Sequence, residues 1–89
     1  MTDLRPDELL AAVHRVVDAL DPEGLLAAGA PADEYSPEAA SLAELVTAGP
    51  VSAEGVFAVW EGWFGPGSAV ARDPDLLRRL TAALTGLQG

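Results

Sequence analysis

Cysteine is absent from this chain, and so is lysine. Without cysteine there is no disulfide, no thiolate nucleophile and no cysteine-ligated metal. Without lysine, all five positive charges are arginine, a usage that fits a GC-rich coding bias better than a function. Histidine occurs once, at His14. A zinc site here would have to take its other ligands from carboxylates, which is rare. No twelve-residue loop offers the spaced oxygens and central glycine that calcium needs. No metal and no cofactor are therefore expected. No apolar run approaches the ~20 residues that cross a bilayer. The opening MTDLRPDELL has neither the apolar core nor the small-residue cleavage site of a signal peptide, and the expected location is cytoplasmic.

Positive charge is scarce as well. Five arginines stand against fourteen carboxylates, for a net charge of −9. A polyanionic nucleic acid or an anionic membrane surface is repelled by such a balance. A protein partner, if there is one, is expected to be basic and to be steered in by charge.

What is present is an apolar fraction of 49% in 89 residues, enough for one domain with one modest core. Alanine and leucine dominate it, and both favour helices. Pro6 suits a first helical position, with Asp7 and Glu8 near the positive end of the dipole. Leu9, Leu10, Val13, Val16, Val17 and Leu20 then share one arc, while Ala11, Arg15 and Asp18 point away. The helix should end near Asp21, because the residue before Pro22 is pushed out of the α region. Leu25 and Leu26 fit a short extra helical turn stopped by Gly29. Ser36 reads as an N-cap before Pro37 and Glu38, opening a helix to Ala48 that Gly49-Pro50 closes. Ser52 caps a third helix to about Phe64. Val56, Phe57, Val59, Trp60, Trp63 and Phe64 span an apolar arc of about 160° on it. Gly55, Ala58 and Gly62 recur on another face, suggesting a close approach or a gap. GPGSAVARDPD reads as a linker. Asp73-Pro74-Asp75 starts a last helix with Leu76, Leu77, Leu80, Leu84 and Leu87 on one side. No run alternates with period two. The expected fold is all-α: a small four-helix bundle-like domain, residues 1–89, with a short extra helical turn after the first helix.

Catalytic patterns are sparse. There is no nucleophile elbow and no glycine-rich phosphate loop. Asp33 and Glu34 are adjacent, so their side chains diverge instead of facing one substrate. His14 can be written as a dyad with Ser36 or Ser41, with no local support. Ser41 in ASLAEL resembles the serine of acyl carrier proteins only loosely. Alanine precedes it, and it falls inside a helix, not at a helix start. The aromatic helix reads first as core. One edge of it near Trp63 and Phe64 reads as a possible partner surface, tryptophan being the most over-represented interface anchor.

The stretch LDPEGLLAAGAPADEYSPEAASLAELVTAG, residues 20–49, resembles the YugE-like family of small bacterial helical proteins. The resemblance rests on Asp21-Pro22, the apolar turn of Leu25 and Leu26, the Asp33-Glu34-Tyr35 motif and the helix start at Pro37-Glu38-Ala39. Leu20 stands where that family often has tryptophan, and Ser36 where an aspartate usually follows the tyrosine. The resemblance implies a compact helical fold and no particular activity.

Together these readings give a non-enzymatic protein-interaction module, adaptor or immunity-like, as the expected function. The alternative is an acyl-carrier-like protein or small accessory enzyme acting through Ser41 or His14. Asp21, Pro22, Asp33, Glu34 and Tyr35 are expected to form a clasp or epitope. In it Tyr35 is buried, and Asp33 or Glu34 bonds nearby backbone or an arginine. Trp60, Trp63 and Phe64 supply a possible partner surface. The same arc makes a homodimer conceivable, with the last helix docked on its own bundle or exchanged with a second copy.

Overall fold

A computed structural model describes residues 5–31 and 33–88. Five α-helices and no strand occur among them: α1 Pro6–Leu20, α2 Ser36–Ala48, α3 Ala53–Phe64, α4 Ala69–Arg72 and α5 Pro74–Gly86. The all-α expectation holds. α1 packs on α2 and α5, and α3 packs on the same two, closing a ring of four helices; α4 lies against α3 and α5. The apolar stripes meet inside this ring. Val13 and Val17 of α1, Ala39 and Leu42 of α2, Val56 and Trp60 of α3 and Leu80 and Leu84 of α5 are all fully buried. The last helix therefore docks on its own chain.

The local signals explain the boundaries. α1 begins at Pro6, with the Arg5 amide donating to Glu8 Oε1 at 3.1 Å. It ends at Asp21, whose φ of 44° and ψ of 60° turn the chain left-handed before Pro22. The Ser52 hydroxyl accepts from the Gly55 amide at the start of α3. Asp73 accepts from the amides of Asp75 and Leu76 at the start of α5. At the far end the Gln88 side chain donates to the Val46 carbonyl and accepts from the Val51 amide, tying the end of the described chain to the α2–α3 turn.

Residues 22–29 form consecutive turns, with Gly24 N–H to Asp21 O and, one helical turn on, Ala28 N–H to Gly24 O. This is the short extra turn expected after the first helix, and Leu25 and Leu26 pack against the core. One local expectation is corrected: a further short helix lies within the supposed linker. α4 buries Ala69 and Val70, and Ser68 before it is buried too. A four-residue helix has no periodicity to betray it, and its burial comes from the tertiary fold.

The glycine pair on α3 also separates. A Cβ at Gly55 would stand 3.1 Å from Leu45 Cδ1, so α2 and α3 approach closely there; a Cβ at Gly62 would meet nothing within 4 Å. Gly62→Ala is expected to raise the unfolding free energy by up to ~1 kcal/mol, the helix-propensity difference. In Gly55→Ala the same gain is offset by displacing Leu45. Urea unfolding of both variants measures this. An equal gain at the two sites would mean that the close approach carries no energetic weight.

Candidate functional site

Three polar constellations sit on this frame. The first is centred on Tyr35, the residue just before α2. Its ring is fully buried, 5.9 Å from that of Trp60, which lies 5.1 Å from Phe64. Its hydroxyl donates to Asp21 Oδ1 at 2.7 Å and accepts from the amides of Glu23 at 3.0 Å and Leu25 at 3.4 Å. Asp21 also accepts from the Leu26 and Ala27 amides, at 3.0 and 2.9 Å. The Tyr35 hydroxyl is the main reason the Asp21 carboxyl titrates below its ordinary value; desolvation opposes this and the amides of Ala27, Leu26 and Leu25 add to it. Burial, reinforced by the Asp21 bond, pushes the Tyr35 hydroxyl up to about 12, against the opposing effect of the Glu23 and Leu25 amides.

Glu23 extends this network across the core. Its Oε2 accepts from Trp60 Nε1 at 2.7 Å and from the Ala69 amide at 2.9 Å. One carboxylate thus satisfies a buried indole and caps the first turn of α4, joining the 22–29 turns to α3 and α4.

The expected clasp exists with different carboxylates. Asp33 and Glu34 are exposed, and among the described residues neither side chain makes a hydrogen bond. Their backbone does the local work, with Glu34 N–H to Pro31 O and Ser36 N–H to Asp33 O. Asp21 was singled out as a turn residue and proves to be the hydroxyl's partner. Glu23 was missed. An isolated glutamate between Pro22 and Gly24 carries no local sign of contacts 37 and 46 residues away.

The second constellation is Trp63. It is 50% exposed, and its Nε1 donates to Ser41 Oγ at 3.1 Å. Of the three aromatics offered as partner surface, Trp60 is core, Phe64 is half-buried and Trp63 is on the outside. The chain around it is acidic. Residues 5–64 carry eleven carboxylates and two arginines, whereas residues 65–88 carry two carboxylates and three arginines.

The third lies between α1 and α2. His14 Nδ1 is 2.8 Å from Asp18 Oδ2, and His14 Nε2 is 3.1 Å from Ser36 Oγ. Ser36 was expected to cap α2. It is instead the first helical residue, after Tyr35, and no side chain caps that end. Asp18 was expected to point away, yet its Oδ1 is buried without a hydrogen-bond partner among the described residues. The four-residue spacing of His14 and Asp18 was legible as a helical pair; the approach of Ser36, 22 residues on, was not. Ser41 is half-buried under Trp63 and stands apart from this relay.

An open apolar groove of about 410 Å³ runs from one helical turn beyond the relay, with Leu9 and Leu10 on the α1 side and Ala40, Ala43 and Thr47 on the α2 side. Leu10, placed on the apolar arc by the sequence, is 40% exposed at its edge. Among the described residues no cluster of three or more potential metal ligands occurs, and no helix is long and apolar enough to cross a membrane. Comparison with protein-family models, curated proteins and solved structures gives no match.

Proposed function

We propose that this protein is an interaction module that engages a basic partner segment through the α2–α3 face, with Trp63 as the apolar anchor. The observation that carries this reading is a half-exposed tryptophan, held in one orientation by Ser41, on the acidic part of the chain. A large indole lost from water at the centre of a contact is the commonest hot spot, and the eleven carboxylates of residues 5–64 supply steering. The resemblance of residues 20–49 to the YugE-like family belongs to the same proposal and brings no activity with it, as does a cytoplasmic setting. Asp33 and Glu34, exposed beside Tyr35, add to the negative field.

A synthetic amphipathic helix with leucine on one face and arginine on the other is a suitable probe. The wild type is expected to bind it, with affinity falling as salt is raised. Trp63→Ala, which leaves the net charge unchanged, is expected to weaken binding by roughly thirtyfold, the ~2 kcal/mol of a hot spot. Equal affinity in the variant would reduce the interaction to charge alone and sink the proposal. Sedimentation equilibrium without peptide separates the self-association reading. A Trp63-dependent rise above the monomer mass would assign the face to a second copy of this chain.

A further inference from the structure

The relay on the other side of α2 has the connectivity of a charge-oriented nucleophile. A carboxylate meets Nδ1 of the imidazole at 2.8 Å, and Nε2 of the same ring meets a serine hydroxyl at 3.1 Å. Nucleophile, base and orienting group within hydrogen-bond reach, in that order, are the geometric signature of an activated serine. Asp18 has one oxygen on His14 and the other buried without a partner among the described residues, so its protein contact is made to the ring alone. The apolar groove begins one turn away on both helices, at Leu10 below His14 and at Ala40 above Ser36.

We propose that Ser36 is an acylation site for activated esters of apolar acids, with His14 as its base, Asp18 as a positioning residue and the Leu10–Ala40 end of the groove as the acyl subsite. Ser36 Oγ attacks the acyl carbonyl carbon while its proton passes to His14 Nε2. Asp18 keeps the Nδ1 proton in place and stabilises the imidazolium. The new Oγ–C bond forms, the C–O bond to the leaving alcohol breaks, and the His14 Nε2 proton goes to that alcohol's oxygen. Water, deprotonated in turn by His14, hydrolyses the acyl-serine to the free acid and restores the hydroxyl. The first turn of α2 offers little for the oxyanion. Pro37 has no N–H, the Ser36 amide donates to Asp33 O and the Ala39 amide donates to Tyr35 O. That leaves the Glu38 amide. A paired oxyanion hole contributes a large share of turnover in serine hydrolases, so both steps are slow here; the good leaving group of an activated ester lets acylation outrun hydrolysis of the alkyl acyl-serine, which accumulates.

The inference departs from the non-enzymatic expectation and is independent of the docking face, since Trp63 lies on the α3 side of α2. Incubation with p-nitrophenyl hexanoate, followed by intact mass and peptide mapping, is the test. The expected result is one hexanoyl group on Ser36, absent in Ser36→Ala, and formed at least ~100-fold more slowly in His14→Gln. Asp18→Asn is expected to lower the acylation rate constant while leaving the half-saturating ester concentration unchanged, which a merely structural loss would not do. Leu10→Glu is expected to lower the rate of hexanoylation of Ser36 more than that of acetylation, reducing the preference for the hexanoyl ester. Circular dichroism of each variant confirms the helical fold. An adduct at another residue, or Ser36 acylation at the same rate without His14, would overturn the assignment.

Discussion

Tyr35→Ala is expected to lower the unfolding free energy by about 3–5 kcal/mol, the range for removing a large buried aromatic. An 89-residue domain holds roughly 4–13 kcal/mol in total, so the variant sits at or near the threshold of folding. Two losses combine. The ring leaves a void against Trp60. The hydroxyl's departure strips Asp21 Oδ1 of its donor and the Glu23 and Leu25 amides of their acceptor. Tyr35→Phe isolates the second loss, and its cost is expected to be about 1–3 kcal/mol. Urea unfolding followed by tryptophan emission measures both. Wild-type stability in Tyr35→Ala would mean that the clasp is ornamental.

The pH dependence carries the same signature. The folded-state value of Tyr35 is raised from 10.0 to about 12. Its contribution is therefore complete below pH 10 and is lost as pH rises through about 12. Asp21 is shifted the other way, downward from 3.8. Its contribution is present above that ordinary value and is lost as pH falls toward and through the lowered one. Tyr35→Phe should remove the alkaline loss and weaken the acid one, which a pH series of unfolding midpoints resolves.

Glu23→Ala is expected to cost about 2–6 kcal/mol, from two buried donors each left with a penalty of ~1–3 kcal/mol. Those donors are the Trp60 indole N–H and the Ala69 amide. Glu23→Gln keeps an acceptor oxygen and is expected to recover at least half of the loss. Asp33→Ala and Glu34→Ala, on exposed side chains, are expected to stay within ~0.5 kcal/mol of wild type. Thermal unfolding of the four variants side by side decides the matter. A ranking with Asp33 or Glu34 above Glu23 would return the clasp to the carboxylates beside Tyr35.

The contrast between these carboxylates marks where a sequence stops being readable. Helix ends were legible because their causes are local: Pro6 at a first turn, Ser52 and Asp73 as caps, Gly49 as a stop. The burial of Tyr35 followed from reading its segment as a clasp, and the wide α3 arc placed one edge near Trp63 and Phe64 at the surface without saying which ring it would be. The partners of polar groups did not. Asp33 and Glu34 drew attention by standing next to Tyr35, yet adjacent residues at a turn diverge, and the hydroxyl reaches back 14 positions to Asp21. The Asp18–His14 spacing was available, but only the antiparallel packing of α1 on α2 brings Ser36 to the ring. α4 was invisible because a helix of one turn owes its existence to what it packs on and to a cap from Glu23.

That cap has a consequence for how the chain is made. The Asp21–Tyr35 half of the clasp has both of its hydrogen-bonding side chains once residue 35 has been synthesised. Glu23 must wait for Trp60, 37 residues on, and for Ala69, 46 residues on. At translation rates of ~5–20 residues per second, the second wait is on the order of 2–9 s. During it the Glu23 carboxylate lacks the Ala69 donor, and the one-turn helix that it caps in the finished fold has not yet been made.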